Sequence, residues 1–141
     1  YDDRKICCLN GVNTKNLGVK EIVHPIEGKL TLTNIERTLI DIAVRPVYSG
    51  GCKEVLNAYK KAKDKVSVDD MISMLKKINY AYPYHQAIGF YMQRAGFDNT
   101  ILNRLKKLRI NYDFYLDYAM KQPTYSNEWR LYYPHDITTP P

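Results

Sequence analysis

The stretch Leu30 to Val44, LTLTNIERTLIDIAV, contains the change of pattern that decides the fold. Before Thr33, leucine and threonine alternate one by one, which is the period of a strand with one buried face. After Thr33, apolar residues recur every three or four positions, which is the period of a helix. The spacing Thr33-Asn34-Ile35-Glu36 predicts a capping box, in which the threonine hydroxyl and the glutamate carboxylate bond free amides at the helix start. A strand is therefore predicted to run into a helix from Asn34 to about Val44.

Toward the N-terminus, short apolar runs separated by turn residues predict three strands. The first is Ile6 to Leu9, which ends at the turn dipeptide Asn10-Gly11. The second is Val19 to Val23, and the third, Leu30 to Leu32, follows across a segment that contains a proline and a glycine.

Toward the C-terminus, the helical period continues through four further amphipathic segments. The first follows the turn Ser49-Gly50-Gly51 and the second begins at a Ser67 cap. The third begins near Pro83 and is capped at its end by Gly96, and the fourth runs from Asn99 to Arg109. In the first of these segments, basic side chains lie on the face opposite the apolar one.

Beyond these helices the period returns to two. Phe114 to Tyr118 and Trp129 to Tyr133 are predicted to pair as an antiparallel hairpin across Gln122 to Asn127. The resulting fold class is α+β, with four or five short helices packed on a mostly antiparallel sheet and strands at both ends of the chain. We expect one domain over residues 1–141, with a loose tail over 134–141.

Composition restricts the functional classes. The chain has 141 residues, and 21 Lys+Arg against 15 Asp+Glu give a net charge of +6, which favours acidic partners such as nucleic acid. No apolar run is long enough for a membrane span or a signal peptide, so we expect a cytoplasmic protein with no membrane partner. The three cysteines are expected to be reduced thiols. Because the chain begins with Tyr1 and not with Met, we expect it to be a fragment of a longer polypeptide.

Enzyme signatures are mostly missing from the sequence. It contains no phosphate-binding glycine loop, no nucleophile elbow and no CxxC pair, and its histidines and cysteines lack the spacing of a metal site. We therefore expect no catalytic residue, metal or cofactor. Glu27-Gly28-Lys29 matches half of an E-x-K motif of Mg²⁺-dependent nucleases, although a solvated turn explains these residues more simply.

Basic runs are the strongest physical signal of function. If the polar sides of the helices that carry these runs lie on one face of the molecule, that face attracts phosphate. The predicted nucleic-acid-binding residues are Lys60, Lys61, Lys63, Lys65, Lys76, Lys77, Arg104, Lys106, Lys107 and Arg109. The sequence also has 13 tyrosines, some of which could stack on bases or line a protein interface.

Several segments resemble a known family. Thr33 to Asp41 (TNIERTLID), then Arg45-Pro46 and Gly50-Gly51 before Glu54-Val55-Leu56, resemble the hallmark stretch of the C-terminal domain of AbiEi-type antitoxins, predicted transcriptional regulators of bacterial abortive-infection systems. Two later segments are also similar, and the resemblance extends from about Leu30 to Tyr133. These later segments are Ile88 to Phe97, which contains IGFYM and AGF, and Trp129-Arg130-Leu131.

The resemblance implies a longer parent protein in which a winged helix-turn-helix precedes this domain and binds operator DNA. It implies an antitoxin that represses its own operon and counteracts a nucleotidyltransferase-type toxin without requiring direct contact. It offers no catalytic residue. Glu36, Arg37, Asp41, Gly50 and Gly51 in the matched stretch are assigned to the architecture of the domain.

The predicted function is therefore that of a non-enzymatic antitoxin domain that assists operator binding through its basic helix faces. Two alternatives from other classes remain at this point. One is a Mg²⁺-dependent nuclease that uses Glu27 and Lys29, and the other is a protein-interaction module that uses a tyrosine-rich surface.

Overall fold

A computed structural model describes residue 11 and residues 14–137, and the predicted strand Ile6 to Leu9 lies outside them. The described part begins with the hairpin β1 (Val19–His24) and β2 (Gly28–Thr33). Five helices follow: α1 (Ile35–Val44), α2 (Cys52–Ala62), α3 (Val68–Ile78), α4 (Tyr84–Arg94) and α5 (Asn99–Lys106), with a 3₁₀ turn (Pro46–Ser49) after α1. Three short strands close it: β3 (Phe114–Tyr115), β4 (Pro123–Ser126) and β5 (Leu131–Pro134).

The predicted α+β class is confirmed, because strands lie at both ends of five short helices. The strands form two small sheets, one of β1 and β2 and one in the order β3-β5-β4. β1 and β2 are antiparallel, as are β4 and β5, whereas β3 runs parallel to β5.

Helix α4 is the centre of the core. It packs against α1, α2 and α5, and Ala87, Ile88 and Phe90 on it are fully buried. The amphipathic helix predicted after the Gly50-Gly51 turn is also confirmed, since Val55, Leu56, Tyr59 and Ala62 share its buried face. The β1–β2 hairpin contributes little to this core, and its Val23 is 78% exposed.

The start of α1 differs from the predicted capping box. Thr33 still pairs with Val19 in the hairpin, so the cap moves one residue to Asn34, whose side-chain oxygen accepts from the Arg37 amide at 3.0 Å. The Glu36 carboxylate does not reach back to the cap and instead bonds another helix. The prediction of a capping box is therefore wrong, although the helix it was used to place is present.

The end of α5 was predicted too late. The helix ends at Lys106, and Arg109 has a φ of +61°, a left-handed conformation that a continuing helix does not allow. The Leu108 amide bonds the Leu105 carbonyl in a tighter final turn. Arg109 thus lies in a connecting segment, not on a helix back.

The C-terminal pairing was also predicted incorrectly. β4 lies inside the segment Gln122 to Asn127 that was assigned to a loop, and β5 pairs with β4 antiparallel and with β3 in parallel. The turn comes later, where Arg130 has a φ of +48°. The predicted loose tail also begins too early, because Pro134 belongs to β5 and Ile137 is 3% exposed in the core.

Candidate nucleic-acid interface

Four residues of the stretch Thr33 to Asp41 form what we call the α1 corner: Asn34, Glu36, Arg37 and Asp41. Glu36 is only 8% exposed, and its carboxylate accepts a hydrogen bond of 2.8 Å from the amide of Ser67, the N-cap of α3. A carboxylate at a helix N-terminus satisfies a free amide and interacts favourably with the helix dipole. Glu36 therefore caps α3 from α1.

Arg37 connects three parts of this corner. It is 7% exposed, its Nε donates to Asp41 Oδ1 at 2.9 Å, and an amino group donates to the Leu17 carbonyl at 2.9 Å. The Asp41 side chain keeps 41% of its surface exposed. The guanidinium thus holds the segment before β1 against α1 by charge-assisted hydrogen bonds.

Gly50 and Gly51 form the entry to α2. Their φ angles are +81° and +88°, values that residues with a Cβ rarely adopt. The Gly51 amide bonds the Pro46 carbonyl at 2.8 Å, and the Gly51 carbonyl accepts from Val55 in the first turn of α2. The two glycines reverse the chain between the 3₁₀ turn and α2.

Eight of the ten predicted phosphate-binding residues form two exposed groups. The first, the α2 lysines, comprises Lys60, Lys61, Lys63 and Lys65 at and just after the end of α2, and Lys63 extends to Gly96 at the end of α4. The second lies near the start of α4, where Lys76 and Leu108 line a cavity together with His85. We call it the α3–α5 group, and it comprises Lys76, Lys77, Lys107 and Arg109.

The length of α4 separates these two groups. Its 11 residues correspond to a rise of about 16 Å at the usual 1.5 Å per residue. The sequence analysis made the attraction of phosphate conditional on the basic runs sharing one face, whereas the structure associates them with opposite ends of one helix. Each group is a small cationic region in its own right.

Two other predicted residues, Arg104 and Lys106, are engaged by carboxylates. The Arg104 guanidinium bonds Asp69 at the start of α3 and lowers the pKa of that carboxyl. Lys106 bonds Glu128, and this bond, followed by one from Gln93, lowers the pKa of Glu128. These pairs cancel the charge that a phosphate would meet, so the other eight residues of the predicted surface carry its cationic character.

Lys106 also belongs to what we call the Trp129 cluster, which the sequence did not predict. Its Nζ lies 5.4 Å from the ring centre of Trp129, whose indole nitrogen donates to Gln93 Oε1 at 2.9 Å. Gln86 is fully buried and donates to the carbonyls of Tyr112 and Trp129 at 2.9 and 2.7 Å. The cluster ties α4 and α5 to the turn before β5.

Neither His85 nor the E-x-K segment forms a catalytic arrangement within the described ranges. His85 Nε2 lies 3.0 Å from the Arg109 carbonyl, and burial lowers the pKa of the ring. Glu27 and Lys29 are exposed at the β1–β2 turn. In the same ranges, no three histidine, cysteine, aspartate or glutamate side chains lie together as potential metal ligands.

Comparison of the chain with protein-family models, with curated proteins and with solved structures found no match. Among residue 11 and residues 14–137, no helix has the length and apolar character required to cross a membrane.

Proposed function

We propose that the chain is the antitoxin domain of an AbiEi-like transcriptional regulator and that it acts without catalysing a reaction. The observation that carries this proposal is that two charged residues of the antitoxin-like stretch, Thr33 to Asp41, are buried and bonded within the chain. Glu36 and Arg37, its two buried charged side chains, both bond to other parts of the same chain. These bonds support an architectural role for the stretch, so we assign the function to the exposed surface of the domain.

In this proposal the exposed cationic groups assist the binding of operator DNA and so support autorepression. Lysine and arginine side chains bind phosphates without reading bases, so they add affinity beside a separate reader domain. The eight basic residues of the α2 lysines and the α3–α5 group are exposed. Within the described part of the chain, none of the eight forms an ion pair.

The antitoxin activity is tested by co-expression of the chain with the nucleotidyltransferase-type toxin of such a system. Growth should be restored, while affinity purification of the chain should recover no stable complex with the toxin. Arg37→Ala should abolish the rescue, because the α1 corner loses its guanidinium, whereas Lys29→Ala on the exposed hairpin should leave it intact. Failure of the unmodified, folded chain to restore growth would contradict the antitoxin proposal.

DNA binding is tested by titrating the chain against duplex DNA from the promoter of its own gene at several salt concentrations. Lys76→Gln with Lys77→Gln should weaken binding and reduce the log–log salt slope by about 0.9 for each phosphate that is no longer neutralised. Lys20→Gln with Lys29→Gln removes the same charge from the hairpin and is the matched control. Equal losses of affinity in both double variants would indicate that only net charge matters and would contradict a localised surface.

A further inference from the structure

A row of tyrosines covers the outer face of the C-terminal sheet. Tyr115 of β3 and Tyr125 of β4 both pair with Tyr132 of β5, so the three side chains lie side by side across the strands. The ring centres of Tyr125 and Tyr132 are 4.8 Å apart, and those of Tyr132 and Tyr115 are 4.4 Å apart with nearly parallel planes. Tyr118 extends the row, its ring 6.4 Å from that of Tyr115 and inclined to it by 17°.

The row leads to an aromatic cavity of about 200 Å³. Tyr118 and Tyr115 line it together with Tyr82, Tyr84 and Phe114, and its charged lining residues are Arg45 and Asp117. Tyr118 is 89% exposed and Tyr82 is 62% exposed, so their rings are open to an incoming planar group. We call these two adjoining features the tyrosine surface.

Arg45 brings a positive charge to the tyrosine surface. It is exposed, and its guanidinium has no hydrogen-bond or ion-pair partner among the described residues. The net charge of +6 on the chain acts in the same direction and favours an anionic ligand. Asp117 also lines the cavity and accepts from the Ala119 amide at 3.1 Å, a neutral donor that leaves the carboxylate charge in place, whereas Asp113 bonds Tyr125 and the cationic Arg130.

We propose that the tyrosine surface binds single-stranded nucleic acid, with a base stacked in the cavity on Tyr118 and Tyr82 and a phosphate on Arg45. Aromatic side chains that offer their rings to successive bases, next to a cationic group, are how proteins bind single strands without reading sequence. This role goes beyond the proposed contact with duplex operator DNA, whose bases are stacked inside the helix.

The test is fluorescence anisotropy of labelled oligothymidylate and oligouridylate titrated with the chain. Tyr118→Ala should weaken binding about ten-fold, since removal of a stacking ring has effects of this order, while Tyr118→Phe should bind like the unmodified chain. Arg45→Gln should reduce the log–log salt slope by about 0.7, the value for one phosphate of a single strand. Tyr112→Ala is the matched control, because Tyr112 is 67% exposed but does not line the cavity.

Three results would overturn the proposal. The first is the absence of oligonucleotide binding by the folded chain. The second is binding that Tyr118→Ala and Tyr82→Ala leave unchanged while circular dichroism shows native folding. The third is a change of oligomeric state in Tyr118→Ala, measured by sedimentation, without a change in oligonucleotide affinity, which would assign the tyrosine surface to protein association. Duplex promoter DNA, measured in parallel, should bind Tyr118→Ala as it binds the unmodified chain, which separates this site from the cationic groups.

Discussion

The α1 corner and the Trp129 cluster both fix helices of the same small core, but they do so with different interactions. In the α1 corner, buried charged side chains bond backbone groups: Glu36 caps α3 and Arg37 holds the Leu17 carbonyl. In the Trp129 cluster, a fully buried indole lies directly on α4 at Gly89, the residue whose missing side chain makes room for it. The first region depends on hydrogen bonds, whereas the second combines hydrogen bonds with the close packing of the indole on α4.

This difference determines how each region responds to substitution. A hydrogen-bonded corner keeps much of its geometry when a similar polar group replaces the original one, because the acceptor remains. A close-packed interface has no such tolerance, since an added methyl group must displace atoms on both sides. We therefore expect the largest loss of stability in the Trp129 cluster.

Gly89→Ala is expected to have the largest effect. A Cβ built on Gly89 overlaps the six-membered ring of the Trp129 indole, so the indole or α4 must move. Overpacking of this kind costs about 1–3 kcal/mol, and we expect a value near the upper end because Trp129 is fully buried. The measurement is the free energy of unfolding by urea, followed by circular dichroism.

The control for Gly89→Ala is Gly28→Ala in the hairpin turn, where an added Cβ meets no atom within 4 Å. Its φ of +74° strains any alanine, but the exposed turn can adjust. A Gly89→Ala variant no less stable than Gly28→Ala would show that the indole packing is not the constraint we infer.

Glu36→Ala is expected to have the second largest effect. The substitution leaves the Ser67 amide without its acceptor in a partly buried position and removes a favourable charge from the start of α3. Such losses amount to about 1–3 kcal/mol, and Glu36→Gln should restore more than half because its side-chain oxygen can still accept. Unfolding free energies of both variants provide the measurement, with Glu27→Ala in the exposed turn as control. If Glu36→Gln were as unstable as Glu36→Ala, the hydrogen bond would not be the stabilising interaction.

The elements of the helical region followed from local sequence alone. Asn34 to Val44, the Ser67 cap and the turn at Gly50-Gly51 were all predicted, because caps, glycines and amphipathic spacing act within a few residues. Interactions between distant parts of the chain were not accessible in this way. Glu36 has the spacing of a local cap residue, and only the packing of α1 on α3 gives it a partner 31 residues away.

The C-terminal sheet shows the same limit more clearly. Alternation identified two strand segments and paired them, yet it could not identify β4 or the parallel direction of the β3–β5 pairing, because strand order and direction depend on contacts between distant parts of the chain. For the candidate interface, the sequence identified which residues are basic. It could not show that Arg104 and Lys106 are bonded to Asp69 and Glu128, since these acids lie 35 and 22 residues away. The tyrosine count gave the only signal of the tyrosine surface.

Lys106→Ala tests whether the cation over the indole adds to the stability of the Trp129 cluster. Lys106 lies over the indole and bonds Glu128, whereas Arg104 bonds Asp69 on an open surface. The Trp129 ring is buried, but the Lys106 side chain keeps 30% of its surface exposed. A partly exposed cation over an aromatic ring contributes about 0.5–1 kcal/mol and a surface ion pair about 0–1 kcal/mol. We expect Lys106→Ala to lower the free energy of unfolding by about 1 kcal/mol and Arg104→Ala to lower it less. The reverse order in urea unfolding would mean that the cation over the ring contributes nothing.

The smallest expected effect is a pH dependence at His85, the residue before Gln86 of the Trp129 cluster. Burial lowers the pKa of His85 in the folded state, although the bond to the Arg109 carbonyl acts in the opposite direction. Since the unfolded histidine has a pKa near 6.5, the unfolded chain takes up the proton first as pH falls. The contribution to stability is thus fully present above about pH 6.5 and decreases from there toward the lower folded-state pKa.

Unfolding free energies at about pH 7.5 and about pH 5.5, on either side of that value, should therefore differ less in His85→Gln than in the unmodified chain, while His24→Gln should preserve the difference. An unchanged difference in His85→Gln would show that the proton is taken up elsewhere.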